Sequence, residues 1–325
     1  MIRELVRLIA FLLLLCLLAG FALISCGTSK TDDQDGPITI VATIFPVYDW
    51  IRNILGNNPS SIELIFLLDS GSDLHNFQPS VRDMLHISTC DLFVYVGGES
   101  DEWVPNALKQ ASNKLIRAIN LLEILGDRVK EEEYVDGMET ETDDGEKSPD
   151  EHVWLSLQNA AFYTDYLCSA ISELDPGNQT LYEHNRDLYK EKLGTLNQKY
   201  RDMVDHSEQK TILFGDRFPF RYMVEDYGLT YYAAFAGCSA ESEASFATIA
   251  NLAAKVDEFG LKAVCKIEGT RHQIAETIVQ STIMKDQKIL VFDSMQSVTA
   301  KNVEDGLTYL GVMEKNYTVL QDALR

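Results

Sequence analysis

This chain of 325 residues lacks the common enzyme signatures: it has no HExxH, no GxSxG, no Walker loop and no GxGxxG opening a helix. Covalent and nucleotide-dependent catalysis are disfavoured on that ground; a hydrolase with dispersed metal ligands is not. Basic residues are scarce, 28 Lys and Arg against 50 Asp and Glu, for a net charge of -22. Phosphates would be repelled across most of such a surface, which argues against binding nucleic acid or docking on anionic lipid through basic patches. Cysteine is also sparse, six in all and none in CxxC spacing, so neither a zinc ribbon nor a thioredoxin motif is present. Cys90 and Cys168 read as small buried hydrophobes, and no disulfide follows from sequence. Hydrophobic residues are plentiful at 46%, enough for a core and, at this length, for two lobes. An acidic chain of this kind can still handle cations.

Arg3 and Arg7 precede an apolar run, Leu8 to Ile24, in the pattern of an export signal. The run ends Leu23-Ile24-Ser25-Cys26-Gly27, similar to the bacterial lipobox, in which cleavage falls just before the cysteine. Cys26 would then carry the lipid, and two or more acyl chains anchor stably where one does not. Thr28 to Gly36 is polar and acidic, a short tether to the membrane.

From Ile38 onward, short runs rich in β-branched and aromatic residues alternate with helix-like stretches. The first set of strands is Ile38–Thr43, Ile62–Leu68, Asp91–Val96 and Lys114–Ile119. The second is Lys210–Phe214, Leu229–Phe235, Lys262–Ile267 and Lys288–Phe292. The expected fold is α/β: two lobes, each a roughly four-stranded parallel sheet flanked by helices. Asp175-Pro176 opens a long helix between them, with Leu181, Leu188, Leu193, Leu196, Tyr200, Met203 and Val204 as its apolar stripe. The divisions read as signal peptide 1–25, tether 26–36, N-terminal lobe 37–174, linking helix 175–207 and C-terminal lobe 208–325. Residues 131–151 carry eleven acids and one lysine without hydrophobic periodicity, as expected of a mobile, solvated loop that either aids solubility or gathers cations.

Of six histidines, two have suggestive settings. His75 lies in a loop just after the strand Ile62–Leu68, and His152 closes the acidic segment. Asp216 and Asp293 directly follow strands of the second set. His75, Asp216 and Asp293 therefore stand beyond the carboxyl ends of strands, where open parallel sheets bind ligands. Taken singly, each carboxylate is more often a cap or turn residue.

Several segments occur in a telling order: Thr43-Ile-Phe-Pro-Val-Tyr-Asp49, Leu74-His-Asn-Phe-Gln-Pro-Ser80, Tyr95-Val-Gly-Gly-Glu-Ser-Asp-Glu-Trp103, His152-Val-Trp-Leu155, Tyr227-Gly-Leu229 and Glu241-Ser-Glu-Ala-Ser245. With the lipobox and the closing segment Tyr309 to Leu324, they make the chain resemble the zinc/manganese-binding lipoproteins that serve ABC importers, over nearly all of Ile38 to Arg325. That resemblance implies one metal between two lobes joined by a long helix, held by two histidines of the first lobe and two residues of the second. His75 and His152 match the two histidines, and Asp293 matches the final aspartate. The chain departs at the third ligand, usually His or Glu, where it reads Gly215-Asp216-Arg217. Asp216 is the nearest usable donor; Glu268 and Cys238 stand at positions the family does not normally use. The loop before His152, often histidine-rich in zinc-type members, is acidic here.

The resemblance thus implies a monomeric, lipid-anchored, extracytoplasmic receptor at the bacterial cell membrane, without catalysis, that captures Zn²⁺, or alternatively Mn²⁺, for an ABC importer permease. A surface adhesion protein and a metal-dependent surface hydrolase are the rival readings.

Overall fold

The computed structural model describes residues 36–57, 62–139, 148–239, 243–269 and 273–325. The signal segment, Cys26 and the tether up to residue 35 lie outside the described residues, as does 140–147 of the acidic segment.

Among the described residues, eight strands form two four-stranded parallel sheets. The first contains β1 (Ile38–Ala42), β2 (Ile62–Phe66), β3 (Leu92–Tyr95) and β4 (Arg117–Asn120) in the order β2-β1-β3-β4. The second contains β5 (Thr211–Phe218), β6 (Thr230–Ala236), β7 (Ala263–Ile267) and β8 (Lys288–Phe292) in the order β6-β5-β7-β8. Helices cover the sheets, so central strands bury both faces: Ile40, Val41 and Ala42 are consecutive and fully buried. In each sheet the strand order reverses beside a central strand, and in open parallel sheets ligands bind beyond the carboxyl ends of the strands at such a point.

A 3₁₀ turn, Pro176–Asn178, leads into the linking helix Gln179–His206. Asp175 accepts hydrogen bonds from Asn178 Nδ2 at 2.8 Å and Tyr182 Oη at 2.6 Å. The buried stripe of the helix is Tyr182, Tyr189, Leu193, Leu196, Tyr200 and Val204. Leu181 and Leu188, assigned to it from sequence, are instead exposed. The stripe is displaced by one residue in the first half of the helix: the Tyr182 hydroxyl finds a partner in Asp175, whereas the Tyr189 ring is buried with its hydroxyl unpaired among the described residues.

Ile38–Arg325 forms one compact unit, tied by contacts between the two sheet regions. Trp154 Nε1 donates to the Ser294 carbonyl at 2.9 Å, and Tyr309 Oη donates to the Trp154 carbonyl at 2.7 Å. Fully buried Asp49 accepts the Tyr309 N–H at 2.9 Å and pairs with Arg52.

The described part of the acidic segment is docked at some positions and solvated at others: Glu131, Glu133, Tyr134 and Asp136 are exposed, as expected of a solvated loop, while other residues are held against the fold. Glu132 and Met138 are buried, the Glu139 N–H reaches the Ala234 carbonyl at 3.0 Å, and Glu139 Oε1 accepts from Ser245 N–H and Thr248 Oγ1. Arg221 pairs with Glu133 and Lys255 with Asp136. Acidic composition misled at the docked positions because their partners are remote in sequence. No helix among the described residues is long and apolar enough to cross a membrane.

Candidate metal centre

His75 is presented by the loop after β2. Asp73 Oδ1 accepts the His75 N–H at 3.0 Å, an Asx-type turn that starts the 3₁₀ segment Leu74–Asn76. His152 stands at the start of a second 3₁₀ segment, Val153–Leu155, and is fully buried beside the Trp154 ring. Asp150 Oδ1 accepts both its backbone N–H at 2.8 Å and, at 3.0 Å, a hydrogen bond from Nδ1.

The two rings turn their Nε2 atoms toward each other, 3.2 Å apart. Tetrahedral zinc with Zn–N bonds of about 2.0–2.1 Å needs its nitrogen donors about 3.3 Å apart, close to this spacing. Each Nδ1 faces away, toward a partner. His152 Nδ1 meets Asp150; His75 Nδ1 lies 2.8 Å from Ser100 Oγ and 3.5 Å from Glu151 Oε2. Such outer partners favour the proton on Nδ1 and leave the Nε2 lone pair for a metal. With both Nδ1 atoms protonated, two lone pairs converge, an arrangement that a cation satisfies.

Glu151 is held in place by a glycine. A Cβ at Gly98 (φ +77°) would fall 2.2 Å from Glu151 Oε1, so the Gly97-Gly98 turn after β3 lets that carboxylate approach and accept the Ser100 N–H at 3.0 Å. Glu151 Oε2 is buried and has no hydrogen-bond partner among the described residues.

The electrostatics differ between the two rings. Burial, with the neighbouring His152 and Arg217 charges, pushes the His75 pKa down to about 3, against the pull of Asp73. Burial also opposes a charge on His152, but the carboxylates of Asp150, Glu151 and Glu132 outweigh it and raise its pKa. His75 is therefore neutral at neutral pH, as a metal ligand must be.

The third member of the group comes from the second sheet. Cys238, in the turn after β6, places Sγ so that one donor atom each from His75, His152 and Cys238 all lie within 4.8 Å of one another. Its backbone N–H donates to Glu132 Oε1 at 2.8 Å. A Cβ at the preceding Gly237 would lie 3.0 Å from His152 Cε1, so this glycine allows the turn to pack against the ring.

Neither carboxylate read from the sequence belongs to that three-atom group. Asp216 does not follow a strand; it lies inside β5, which continues to Phe218 across a register irregularity between Phe214 and Arg217. Its carboxylate accepts the Arg217 N–H at 2.9 Å and the Ile267 N–H at 3.2 Å. The irregularity sends Arg217 toward the first lobe, where Nη2 donates to Asp73 Oδ2 at 2.7 Å while Nη1 holds the Ser239 carbonyl at 3.3 Å. Asp293 does follow β8; Oδ1 accepts the Met295 N–H at 2.9 Å, and burial raises its pKa. Glu268 is engaged by Ser294 and Gln296. Sequence reasoning passed over Ser100, Asp150, Glu151 and Arg217, and ranked Cys238 low. The one available signal for Cys238 was its place just beyond a predicted strand.

Residues 40–323 match the family profile described as zinc-uptake complex component A, periplasmic. The zinc-binding lipoprotein AdcA of Streptococcus pneumoniae strain R6 is 28% identical over 313 residues, covering 95% of this chain and 60% of the relative. The chain thus spans 60% of the length of that relative. The high-affinity zinc uptake system protein ZnuA of Bacillus subtilis is 28% identical over 311 residues, covering 94% of this chain and 95% of the relative. Among solved structures, the Zn(II)-bound ZnuA-like domain of S. pneumoniae AdcA superposes with a TM-score of 0.70 at 27% identity, covering 89% of this chain and 99% of the domain.

Proposed function

The chain belongs to the periplasmic component A family of zinc-uptake complexes, and on that premise we propose that it captures one divalent transition metal between its lobes and delivers it to an ABC importer permease. Zinc is the favoured cargo and manganese the alternative. The observation that carries this reading is the pair of imidazoles with Nε2 atoms 3.2 Å apart, each anchored at Nδ1 by a polar partner. His75 and His152 are the nitrogen donors from the first lobe. Asp293, at the carboxyl end of β8, is the oxygen donor from the second; the adjoining Ser294 carbonyl is tied to Trp154, two residues past His152. Asp216, committed to two backbone N–H groups, serves the shape of β5 instead. In this reading the chain performs no catalysis, acts outside the cytoplasm as a monomer, and is held to the bacterial membrane by lipid on Cys26.

Elemental analysis of protein purified without chelator tests the proposal. One zinc or manganese per chain is expected, lost in His75→Ala. Added metal at a thousandfold excess over Kd should raise the unfolding temperature by roughly 10 °C. Absence of bound metal, together with no stabilisation by Zn²⁺ or Mn²⁺, would contradict capture. Growth in chelated medium unaffected by deleting the gene would contradict delivery.

A further inference from the structure

We propose that Cys238 is a sulfur donor to the captured ion and makes the site selective for thiophilic metal, zinc over manganese. The inference rests on the metal-capture reading above and deepens it by naming a residue that sets the choice of cargo.

Four observations support it. First, Cys238 Sγ shares the 4.8 Å group with the two histidines, whereas Asp216 and Asp293 do not. A tetrahedral site with Zn–S of about 2.3 Å and Zn–N of about 2.0–2.1 Å can be assembled from such a group with small shifts. Second, the Cys238 turn is built against the site from both sides. Gly237 is wedged between the Phe218 carbonyl and the His152 ring, where a Cβ would lie 2.9 Å from the first and 3.0 Å from the second, and buried Glu132 holds the Cys238 N–H at 2.8 Å. Third, Cys90, Cys168 and Cys265 are buried in the cores, while Cys238 is partly exposed; all four are free thiols. Fourth, the side chain that β5 sends toward the first lobe is an arginine, which has no lone pair to offer a metal and whose guanidinium is spent on Asp73 and the Ser239 carbonyl. That second contact holds the residue after Cys238, so Arg217 braces the cysteine turn against the loop that carries His75.

The chemical consequence follows from donor softness. A thiolate with two imidazoles suits zinc, whereas manganese prefers carboxylate, carbonyl and water oxygen. Binding releases the thiol proton to solvent as the metal–sulfur bond forms, so no oxidant or reductant takes part.

The test uses Co²⁺ as a spectroscopic stand-in for zinc, followed by competition titrations with Zn²⁺ and Mn²⁺. The wild-type chain loaded with one Co²⁺ should show an intense near-ultraviolet sulfur-to-cobalt charge-transfer band. Cys238→Ser should lose that band. Its zinc affinity should fall by at least about tenfold, the lower end of what losing even an outer partner of a ligand costs, with manganese affinity changed by less than about threefold. A wild-type cobalt complex without the band overturns the inference whether or not the variant folds. So does Cys238→Ser with unchanged zinc affinity while His75→Ala abolishes binding, and in that case metal capture itself survives. A wild-type chain that takes up neither zinc nor cobalt overturns both.

Discussion

His152→Ala should weaken zinc binding by about a hundredfold to a thousandfold in a competition titration against a chelating dye. Zinc held by four protein donors is bound by about 10–16 kcal/mol, so one donor accounts for about 3–4 kcal/mol, and each 1.4 kcal/mol is a factor of ten. His152 is the donor with least freedom to be replaced. It is fully buried, its ring is flanked by Trp154 and Gly237, and Asp150 fixes both its backbone and Nδ1. Water cannot readily take the vacated place with the same orientation. Asp216→Ala in the same titration should leave zinc affinity within about threefold, because its oxygens are engaged by the N–H groups of Arg217 and Ile267. Equal losses in the two variants would contradict the assignment of the site.

The second large effect is on stability. Trp154→Ala should lower the free energy of unfolding by about 3–5 kcal/mol, the usual cost of removing a buried aromatic side chain. Trp154 is 1% exposed and reaches across the lobes, through Nε1 to the Ser294 carbonyl. Trp154→Phe should lose less, about 1–3 kcal/mol, because the apolar body remains while that buried carbonyl goes unpaired. Denaturant titration checks both. A loss below about 1 kcal/mol in Trp154→Ala would show that the contact between the lobes contributes little.

The strands and the setting of His75 were legible in the sequence, for different physical reasons. β7 is buried at every position and β1 from Ile40 to Ala42, so their apolar runs mark them as interior parallel strands even though β7 includes Lys266. His75 sits in a loop after a strand, and a loop at that end of a parallel sheet is a place where ligands collect. The irregularity in β5 was not legible. An inserted residue in a strand redirects every side chain beyond it, and here it turns Asp216 to the backbone of β7 and Arg217 to Asp73. Cys238 was obscured for another reason. A single partly apolar side chain after a strand looks like any other, and only the approach of β6 to His152 gives it a chemical role. The linking helix shows a milder form of the same limit, since the adjacent pairs Leu181-Tyr182 and Leu188-Tyr189 both satisfy the helical period. Hydroxyl partners such as Asp175 decide which member turns inward at Tyr182.

The central claim is that the two converging imidazoles hold the cargo, and crystals of the zinc-loaded protein test it through anomalous scattering at the zinc edge. The account predicts one peak within about 2.1 Å of both His75 Nε2 and His152 Nε2. A zinc peak elsewhere in the molecule, with the two rings still facing each other across an unfilled 3.2 Å gap, would contradict it.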